Sequence, residues 1–358
     1  MSGIGPRSDE EHRQVVFFTE EETGLRGILA LDDDRLGPCV GACRSRPYVD
    51  KERATADAIR QGMTTTAKAL LAGLPVGGGC MALLSDSSIG IRAASPMPAI
   101  SRIVDKHAGR YLLLPDLQGD LHDMNEAAGY TRHVLGQSGQ HEIDSVEATA
   151  LGLRIGIEAA VHQQLGRDHL MGVRIGIMGL GSVGFRLAEL LRQEGARLTV
   201  ADRDPMRTER AVRALGINCV ATEEIIHIDV DVFVPTAAKD TIDEGVLSHL
   251  RCKVLAGAVD DPLRTPTLGA KLHERGILYA PDIVINAGGL ISLARPLSAP
   301  EMNTLSVLDD IKAIGPRMAA IAKRSAQENL PTTEIVTSMV EDARAARVGS
   351  GTAEMLAS

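Results

Sequence analysis

The sequence predicts an α/β fold of two domains, and three observations carry this prediction. The chain has 358 residues, and at roughly 150 residues per domain that is enough for two domains with separate cores. Hydrophobic residues make up 44% of the chain and charged residues 24%, a composition typical of globular proteins rather than disordered ones. Short apolar runs alternate with helical patterns along most of the chain, as in α/β folds.

The first predicted domain, residues 1–140, combines short strands with one long helix. Alanine, isoleucine and leucine recur at helical spacing from Asp50 to about Leu71. The polar stretch Gly136–Ser145 has no apolar period and predicts a loop between the domains. The strand-like runs of this domain are Val15–Phe18, Gly27–Leu31, Val40–Cys43, Met81–Leu84 and Tyr111–Leu114.

The second predicted domain, residues 141–330, begins with a helix over Val146–Leu165 and then a glycine-rich turn. Val173–Met178 is an apolar run typical of a parallel strand, and the sequence GLGSVG follows it directly at Gly179–Gly184, before a helical pattern. Glycines in such a turn allow close backbone approach, and the N-terminus of the following helix offers free N–H groups to a pyrophosphate. The strand, turn and helix together predict a dinucleotide-binding site.

A second strand supports the same interpretation. This strand is Arg197–Ala201, and Asp202 follows it directly, about 20 residues beyond the glycines. A carboxylate at this position accepts a hydrogen bond from a ribose hydroxyl and repels a 2′-phosphate. We therefore expect NAD rather than NADP, although the neighbouring Arg203 can stack on adenine or contact that phosphate. Further apolar runs complete the pattern of a Rossmann domain and lie at Val230–Val234, Lys253–Ala258 and Gly276–Ala280.

The end of the chain carries two helical patterns. They extend from Leu305 to about Arg347 and are separated by Leu330-Pro331. We assign residues 331–358 to a C-terminal helix that returns to the first domain.

Charge and composition disfavour several classes of function. The formal net charge is −9, and the chain has no tryptophan, four tyrosines and four phenylalanines, so it offers little to phosphates or bases and we expect no nucleic-acid partner. The N-terminal segment has no apolar core, and charges or glycines interrupt every apolar run, so we expect a soluble cytoplasmic protein without a membrane segment. The five cysteines are odd in number and lack CxxC spacing, which predicts reduced thiols.

The order of these motifs resembles the glutamate/leucine/phenylalanine/valine dehydrogenase superfamily, most closely its leucine and valine dehydrogenase branch. The resemblance extends from about Val15 to Arg347. It rests on GPCVGACR at 37–44, KALLAGLPVGGG at 68–79, the segment around Asp116, ATALGL at 148–153 and YAPDIVINAGG at 279–289. The resemblance implies NAD-dependent interconversion of an amino acid with a keto acid and ammonia, by a homo-oligomer that is a dimer or an octamer.

The resemblance also implies roles for individual residues. Lys68 pairs with the substrate α-carboxylate, Asp116 transfers protons, Thr149 contacts the nicotinamide amide, and Asn286 lies where cofactor and substrate meet. The remaining substrate residues are Val40, Gly41, Leu114, Asp261, Leu290 and Leu293, and the remaining cofactor residues are Gly179, Gly181, Ser182, Val183, Gly184, Asp202, Arg203, Ala237, Ala258 and Asp260. The pocket residues Val40, Leu114, Leu290 and Leu293 are branched aliphatics, which favours a compact apolar substrate side chain.

One position departs from the family pattern. Family members place a catalytic lysine after the three glycines, and this chain has Cys80, a shorter side chain without positive charge. Three roles are open for Cys80: an inert buried filler, a nucleophile toward an imine or aldehyde carbon, and a metal site with Cys39 and Cys43. The metal site is the weakest of these, because residues four apart on one strand lie about 13 Å apart, and we predict no bound metal.

A second departure points in the same direction. Asp260 and Asp261 stand where the family often has two asparagines. With Cys80, they predict an altered catalytic centre that acts on a C–N bond of an amino acid, amine or imine. Two alternatives are a conventional leucine- or valine-type dehydrogenase of weak activity and a non-catalytic NAD-binding homologue.

Overall fold

The computed structural model describes residues 13–84, 95–115, 121–137, 143–237, 239–298 and 304–355. They divide into two compact units. The first unit comprises the described residues of 13–144, 292–298 and 342–355, and the second those of 145–291 and 304–341.

The first unit contains a five-stranded sheet of order β1-β2-β4-β3-β5. Strand β2 is antiparallel to β1 and β4, whereas β3 is parallel to β4 and β5. The strands are β1 (Gln14–Thr19), β2 (Arg26–Leu31), β3 (Cys39–Arg46), β4 (Gly77–Leu84) and β5 (Tyr111–Leu114), and the helices are α1 (Lys51–Ala72), α2 (Met97–Asp105) and α3 (Leu121–Ala128). The five predicted strands and the long helix of this domain are confirmed.

Capping defines both ends of α1, and a threonine attaches it to the sheet. The Asp50 side chain accepts from the N–H of Arg53, and Gly73 ends the helix at a φ of +69°, as left-handed C-caps do. The Thr66 hydroxyl accepts from the Gly78 N–H at 2.9 Å. The helix is thereby fixed over β4.

Glycine allows β3 and β4 to approach closely. A Cβ on Gly41 would lie 1.8 Å from the carbonyl oxygen of Gly79, a distance that no side chain accepts. Apolar clusters cover the two faces of this sheet. One contains Met81, and the other, which includes residues of α1, contains Cys80.

The second unit contains a six-stranded parallel sheet of order β11-β10-β9-β6-β7-β8. The strand order reverses between β9 and β6, the switch point at which such sheets bind ligands. The strands are β6 (Arg174–Met178), β7 (Arg197–Ala201), β8 (Asn218–Cys219), β9 (Val232–Pro235), β10 (Val254–Ala256) and β11 (Leu278–Ala280). The prediction of a Rossmann domain is confirmed.

Besides three short 3₁₀ helices, ten further α-helices lie among the described residues. They are α4 (Ser145–Leu165), α5 (Ser182–Gln193), α6 (Pro205–Leu215), α7 (Glu244–His249), α8 (Thr267–Glu274), α9 (Asp282–Ile285), α10 (Gly288–Ala294), α11 (Thr304–Lys312), α12 (Ile314–Glu328) and α13 (Thr332–Met355). None of the helices in the described ranges is long and apolar enough to cross a membrane.

The boundaries of the units differ from the predicted ones. The first division falls between residues 144 and 145 rather than 140 and 141. The predicted C-terminal segment 331–358 is split, because residues up to 341 belong to the second unit. The Thr332 hydroxyl donates to the carbonyl of Tyr279 at 2.7 Å, a contact that holds the start of α13 within the second unit.

The end of α13, from residue 342, belongs to the first unit. Arg344 forms an ion pair with Asp33, which is 1% exposed and also pairs with Arg35 at 2.9 Å. Arg347 donates to the carbonyl of Leu74. Two arginines of the last helix, Arg344 and Arg347, thus find a carboxylate and a carbonyl partner in the first unit.

We predict that Arg344→Met lowers the free energy of unfolding by about 1–3 kcal/mol, because the buried Asp33 carboxylate loses one of its cations. The matched control is Arg324→Met in α12, whose ion pair with Glu328 is exposed and whose loss costs about 0.5 kcal/mol. Urea denaturation followed by circular dichroism measures both. Equal effects of the two substitutions would contradict the assignment.

Candidate functional site

The glycine-rich turn after β6 combines two packed glycines with one open one. Gly179 has a φ of +118°, and a Cβ there would lie 2.7 Å from the Thr236 hydroxyl. A Cβ on Gly184 would lie 2.3 Å from the carbonyl oxygen of Gly179. At Gly181, by contrast, the nearest atom to an added Cβ is Nη1 of Arg207, at 4.0 Å. The middle glycine therefore borders free space.

The N-terminus of α5 lies at this free space. Gly181 is its N-cap residue and supplies no side-chain cap. The first N–H groups of an α-helix have no intrahelical partner and carry the positive end of the helix dipole. The backbone at Ser182 and Val183 thus fits the pyrophosphate of a dinucleotide.

Asp202 is attached to the same turn. Its Oδ2 accepts from the Leu180 N–H at 2.6 Å and its Oδ1 from the Asp204 N–H at 2.8 Å. Arg207 Nη1 lies 3.6 Å from Oδ2. These contacts use part of the acceptor capacity of the carboxylate and fix its orientation at the end of β7, while Arg203 next to it is exposed.

A second group of predicted residues gathers beyond β10 and β11. The Asn286 amide donates to Oδ1 of Asp260 at 3.1 Å. Asp261 has a φ of +52° and is 8% exposed. Its N–H donates to Asp282 Oδ2 at 3.0 Å, and Tyr279 donates to the other oxygen of Asp282 at 2.8 Å. Asp282 therefore holds the Asp260-Asp261 turn in place.

The carboxylates around Tyr279 also affect its ionisation. Burial raises the pKa of the Tyr279 hydroxyl well above its ordinary value, and the nearby charges of Asp282 and Asp261 raise the pKa further. The phenol thus stays protonated and keeps its role as a donor to Asp282.

Thr149 lies against the segment that follows Asn286. Its hydroxyl donates to the Ser145 carbonyl at 2.7 Å. A Cβ on Gly289 would lie 2.5 Å from that hydroxyl, and one on Gly288 would lie 2.0 Å from the Ala148 carbonyl. The two glycines therefore let this segment pack directly on α4. Of the other predicted residues of the second unit, Leu290 and Ala258 are buried and Ala237 is exposed.

In the first unit, the predicted residues Lys68 and Cys80 are both buried. Lys68 lies on α1 and is 7% exposed. Cys80 is 1% exposed, and its thiol contacts the Met81 carbonyl at 3.6 Å. The cluster around Cys80 contains Ile28, Ala30, Ala54, Ala58 and Ala82. This apolar environment favours the filler role, because a buried thiol behaves as a small hydrophobic side chain.

The structure contradicts the metal-site hypothesis. Cys39 belongs to the apolar cluster on the other face of the sheet, and Cys43 packs against that cluster, whereas Cys80 lies in the cluster that includes α1. Burial raises the pKa of Cys39 to about 12, so this thiol does not ionise readily. No group of His, Cys, Asp or Glu with metal-binding geometry occurs among the described residues.

The remaining predicted pocket residues of the first unit are aliphatic and buried. Val40 and Gly41 lie in β3 beside β5, which contains Leu114. Val40, Leu114 and Leu293 are at most 8% exposed. The predicted proton-transfer residue Asp116 lies outside the described residues.

Three residues at these sites have roles that the sequence analysis did not assign. The Thr236 hydroxyl donates to the carbonyl of Gly179 at 2.6 Å and so supports the glycine turn. Asp282 holds the Asp261 turn, and Arg207 pairs with Asp202. Thr236 and Asp282 follow strands in segments already considered, but only the tertiary contacts reveal their partners.

Comparisons with known proteins agree with this geometry. A model of the glutamate/leucine/phenylalanine/valine dehydrogenase family matches residues 201–303. The leucine dehydrogenase of Geobacillus stearothermophilus is 33% identical over 335 residues, which cover 93% of this chain and 90% of the relative. An L-tryptophan dehydrogenase of Nostoc punctiforme is 30% identical over 332 residues, 92% of this chain and 93% of the relative.

Solved structures give the same result. The crystal structure of L-tryptophan dehydrogenase from Nostoc punctiforme has a TM-score of 0.76 at 28% identity, over 96% of this chain and 98% of that one. A hetero-hexameric glutamate dehydrogenase of Thermus thermophilus has a TM-score of 0.73 at 20% identity, over 92% and 88% of the two chains, and shows the fold alone. With similarity along most of its length, the chain belongs to the glutamate/leucine/phenylalanine/valine dehydrogenase family, whose members are NAD(P)-dependent oxidoreductases that act on CH–NH2 groups.

Proposed function

We propose that the protein is an NAD-dependent oxidoreductase that acts on the C–N bond of a compact aliphatic amino acid or of a related amine or imine, with an altered catalytic centre. The observation that carries the proposal is the glycine turn, whose open Gly181 and bound Asp202 fit a dinucleotide. A conventional leucine-type dehydrogenase of weak activity is the second candidate, and the 33% identity to a leucine dehydrogenase supports it.

Residues of the second unit would hold the cofactor, which when bound exchanges a hydride with the substrate carbon. The N–H groups of Ser182 and Val183 would bind the pyrophosphate. Asp202 would accept from a ribose hydroxyl. Thr149 and Asn286 would contact the nicotinamide side, and Asp260 would orient the Asn286 amide to which it is bonded.

The charges around Asp202 support NAD over NADP. Arg207 is the nearest cation to the carboxylate, yet Asp204 also lies 3.5 Å from its Nε. Two carboxylates therefore compensate one guanidinium, which leaves little charge to attract a 2′-phosphate. Arg203 is exposed beside this group, where it could contact adenine.

Residues of the first unit would hold the substrate. Lys68 would bind its carboxylate, and Val40, Leu114 and Leu293 would contact an aliphatic side chain. Asp116 retains its proposed role in proton transfer. We assign Cys80 to the filler role, because aliphatic side chains surround it. The family resemblance supports a homo-oligomeric assembly.

We predict that the protein binds NADH at least about tenfold more tightly than NADPH, since Asp202 repels the added phosphate. Asp202→Ala should weaken NADH binding and reduce this preference. The control is Asp229→Ala, an exposed acid of the same unit that pairs with Arg174. Fluorescence titration of the reduced nucleotides measures all three proteins, and equal or tighter NADPH binding by the wild type would refute the cofactor assignment.

Substitution of two glycines by alanine should separate nucleotide binding from folding. Gly181→Ala should keep the melting temperature and lose NADH affinity, because its Cβ enters open space that the pyrophosphate needs. Gly184→Ala should lower the melting temperature, because its Cβ collides with the Gly179 carbonyl. Thermal denaturation and nucleotide titration are run on both variants. Undiminished NADH binding by Gly181→Ala would exclude the turn as the nucleotide site.

Leucine, valine and phenylalanine should be poor substrates, about 10²–10³-fold slower than the ~10 turnovers per second usual for enzymes, because no lysine stands at position 80. Cys80→Ala should keep whatever rate the best substrate shows, since the thiol is filler. Initial rates of keto-acid amination and of cyclic-imine reduction test both statements. A normal rate with leucine, or inactivation by Cys80→Ala, would contradict them.

A further inference from the structure

Asp282, the first residue of α9, contacts both of the segments that meet in the hydrogen bond between Asp260 and Asn286. It is 7% exposed. Its Oδ2 accepts from the Asp261 N–H at 3.0 Å, and its main-chain carbonyl accepts from the Asn286 N–H at 2.9 Å. The Asn286 amide in turn donates to Asp260, the neighbour of Asp261. These bonds form a closed ring, so a displacement of Asp282 would move both partners of the Asp260–Asn286 bond.

Two further residues fix the Asp282 carboxylate. Tyr279 is 4% exposed, and its hydroxyl donates to Oδ1 of Asp282 at 2.8 Å. Gly257 makes room for this pair, because a Cβ there would lie 2.7 Å from the Asp282 nitrogen and 2.9 Å from the Tyr279 oxygen. The carboxylate therefore has a protein donor at each oxygen: the Tyr279 hydroxyl at Oδ1 and the Asp261 N–H at Oδ2.

The turn that Asp282 holds has a conformation that needs support. Asp261 has a φ of +52°, and a residue other than glycine keeps such a left-handed conformation only where its surroundings maintain it. The Asp261 carbonyl accepts from the Asp240 N–H at 2.9 Å, and the buried Asp261 N–H donates to Asp282. Loss of the Asp282 acceptor would leave this N–H buried without that bond, and the turn would relax.

The position of Asp260 in turn determines how the Asn286 amide is oriented. An ionised carboxylate only accepts hydrogen bonds. The Asn286 side chain must therefore direct its NH2 group toward Asp260, in agreement with the 3.1 Å bond from Nδ2 to Oδ1. The amide oxygen then faces away from Asp260 as an acceptor. A donor group such as the carboxamide of nicotinamide fits an acceptor of this kind.

We propose that Asp282 is a positioning residue that, through Asp260, orients the Asn286 amide toward the nicotinamide half of a bound dinucleotide. This inference rests on the proposed function, in which Asn286 contacts the nicotinamide side. The glycine turn after β6 and Asp202 after β7 would hold the other half, the adenosine and the pyrophosphate. Asp282 should therefore affect recognition of one half of the dinucleotide and leave the other half unaffected.

The test compares the affinities for NADH and for ADP-ribose, which contains the adenosine and the pyrophosphate but no nicotinamide. Asp282→Ala removes the carboxylate, whereas Asp282→Asn keeps an acceptor for the Asp261 N–H and a polar contact with Tyr279. The matched control is Asp231→Ala, because Asp231 also accepts from a backbone N–H of the second unit, that of Arg174 at 2.9 Å. Isothermal titration calorimetry of the full chain measures both ligands, and the melting temperature is recorded without ligand.

We expect Asp282→Ala to weaken NADH binding about tenfold, as for loss of a hydrogen bond to a charged group, and to keep ADP-ribose binding within about twofold of the wild type. Asp282→Asn should bind NADH within about threefold of the wild type. Asp231→Ala should lower the melting temperature and keep the ratio of the two affinities. If Asp282→Ala does not fold, Tyr279→Phe replaces it, with an expected loss of NADH affinity of about threefold.

A second comparison uses Asn286→Ala as the background. If Asp282 acts through Asn286, Asp282→Ala should weaken NADH binding by less than about twofold in a chain that already lacks the Asn286 amide, because residues of one network are not additive. A role of Asp282 in folding alone would weaken both ligands alike and would give the same loss in either background.

The outcomes separate this inference from the proposed function. If Asp282→Ala binds both ligands like the wild type, loses affinity for both equally, or acts independently of Asn286→Ala, the positioning role is wrong and the proposed function stands. If the wild type binds no NADH, the proposed function fails, and the positioning role fails with it. If the wild type binds ADP-ribose as tightly as NADH, the contact of Asn286 with the nicotinamide side is refuted, together with the role of Asp282.

Discussion

The hydrogen bond from the Leu180 N–H to the Asp202 carboxylate is the contact on which the nucleotide end of the second unit depends. It joins the turn after β6 to the end of β7, and the bond from the Gly179 N–H to the Ala201 carbonyl supports it. Two backbone N–H groups, those of Leu180 and Asp204, donate to the Asp202 carboxylate and so fix its position. These bonds leave Asp202 with fewer free acceptor sites, so the proposed cofactor recognition and the folding of the turn share one functional group.

Glycine performs a comparable task in the first unit. The missing side chain of Gly41 lets β3 approach the Gly79 carbonyl of β4 more closely than any side chain would allow, and the Gly78 N–H bonds to Thr66 of the helix. These contacts fix the rotation of α1 over the sheet. That rotation turns Gly62 and Thr66 toward β4, so backbone contacts determine the orientation of the helix that carries Lys68.

Periodicity and turn chemistry predicted every strand of the first sheet, five of the six strands of the second, the glycine turn and the long α1, because these elements depend on local sequence. Strand β8 was missed, because two residues are too few to form a pattern. The unit boundaries were less accurate, since Thr332 holds the start of α13 by a bond to Tyr279, a contact between residues distant in sequence. The metal site with Cys39, the weakest of the three roles left open for Cys80, is contradicted because the two residues belong to clusters on opposite faces of the sheet. The bond from the Asp261 N–H to Asp282 was not predictable, because the two residues are 21 positions apart and meet only in the folded chain.

The environment of Cys80 gives a physical reason for the absence of lysine. The side chain lies among Ala54, Ala58 and other aliphatic groups, and the nearby Tyr48 bonds to Asp57, which Arg60 also neutralises. An ammonium at this position would be buried without an unsatisfied carboxylate on this part of α1 to receive it, and burial of an unpaired charge is costly. A thiol fills the same space without that cost and lets the alanines of α1 pack on β4.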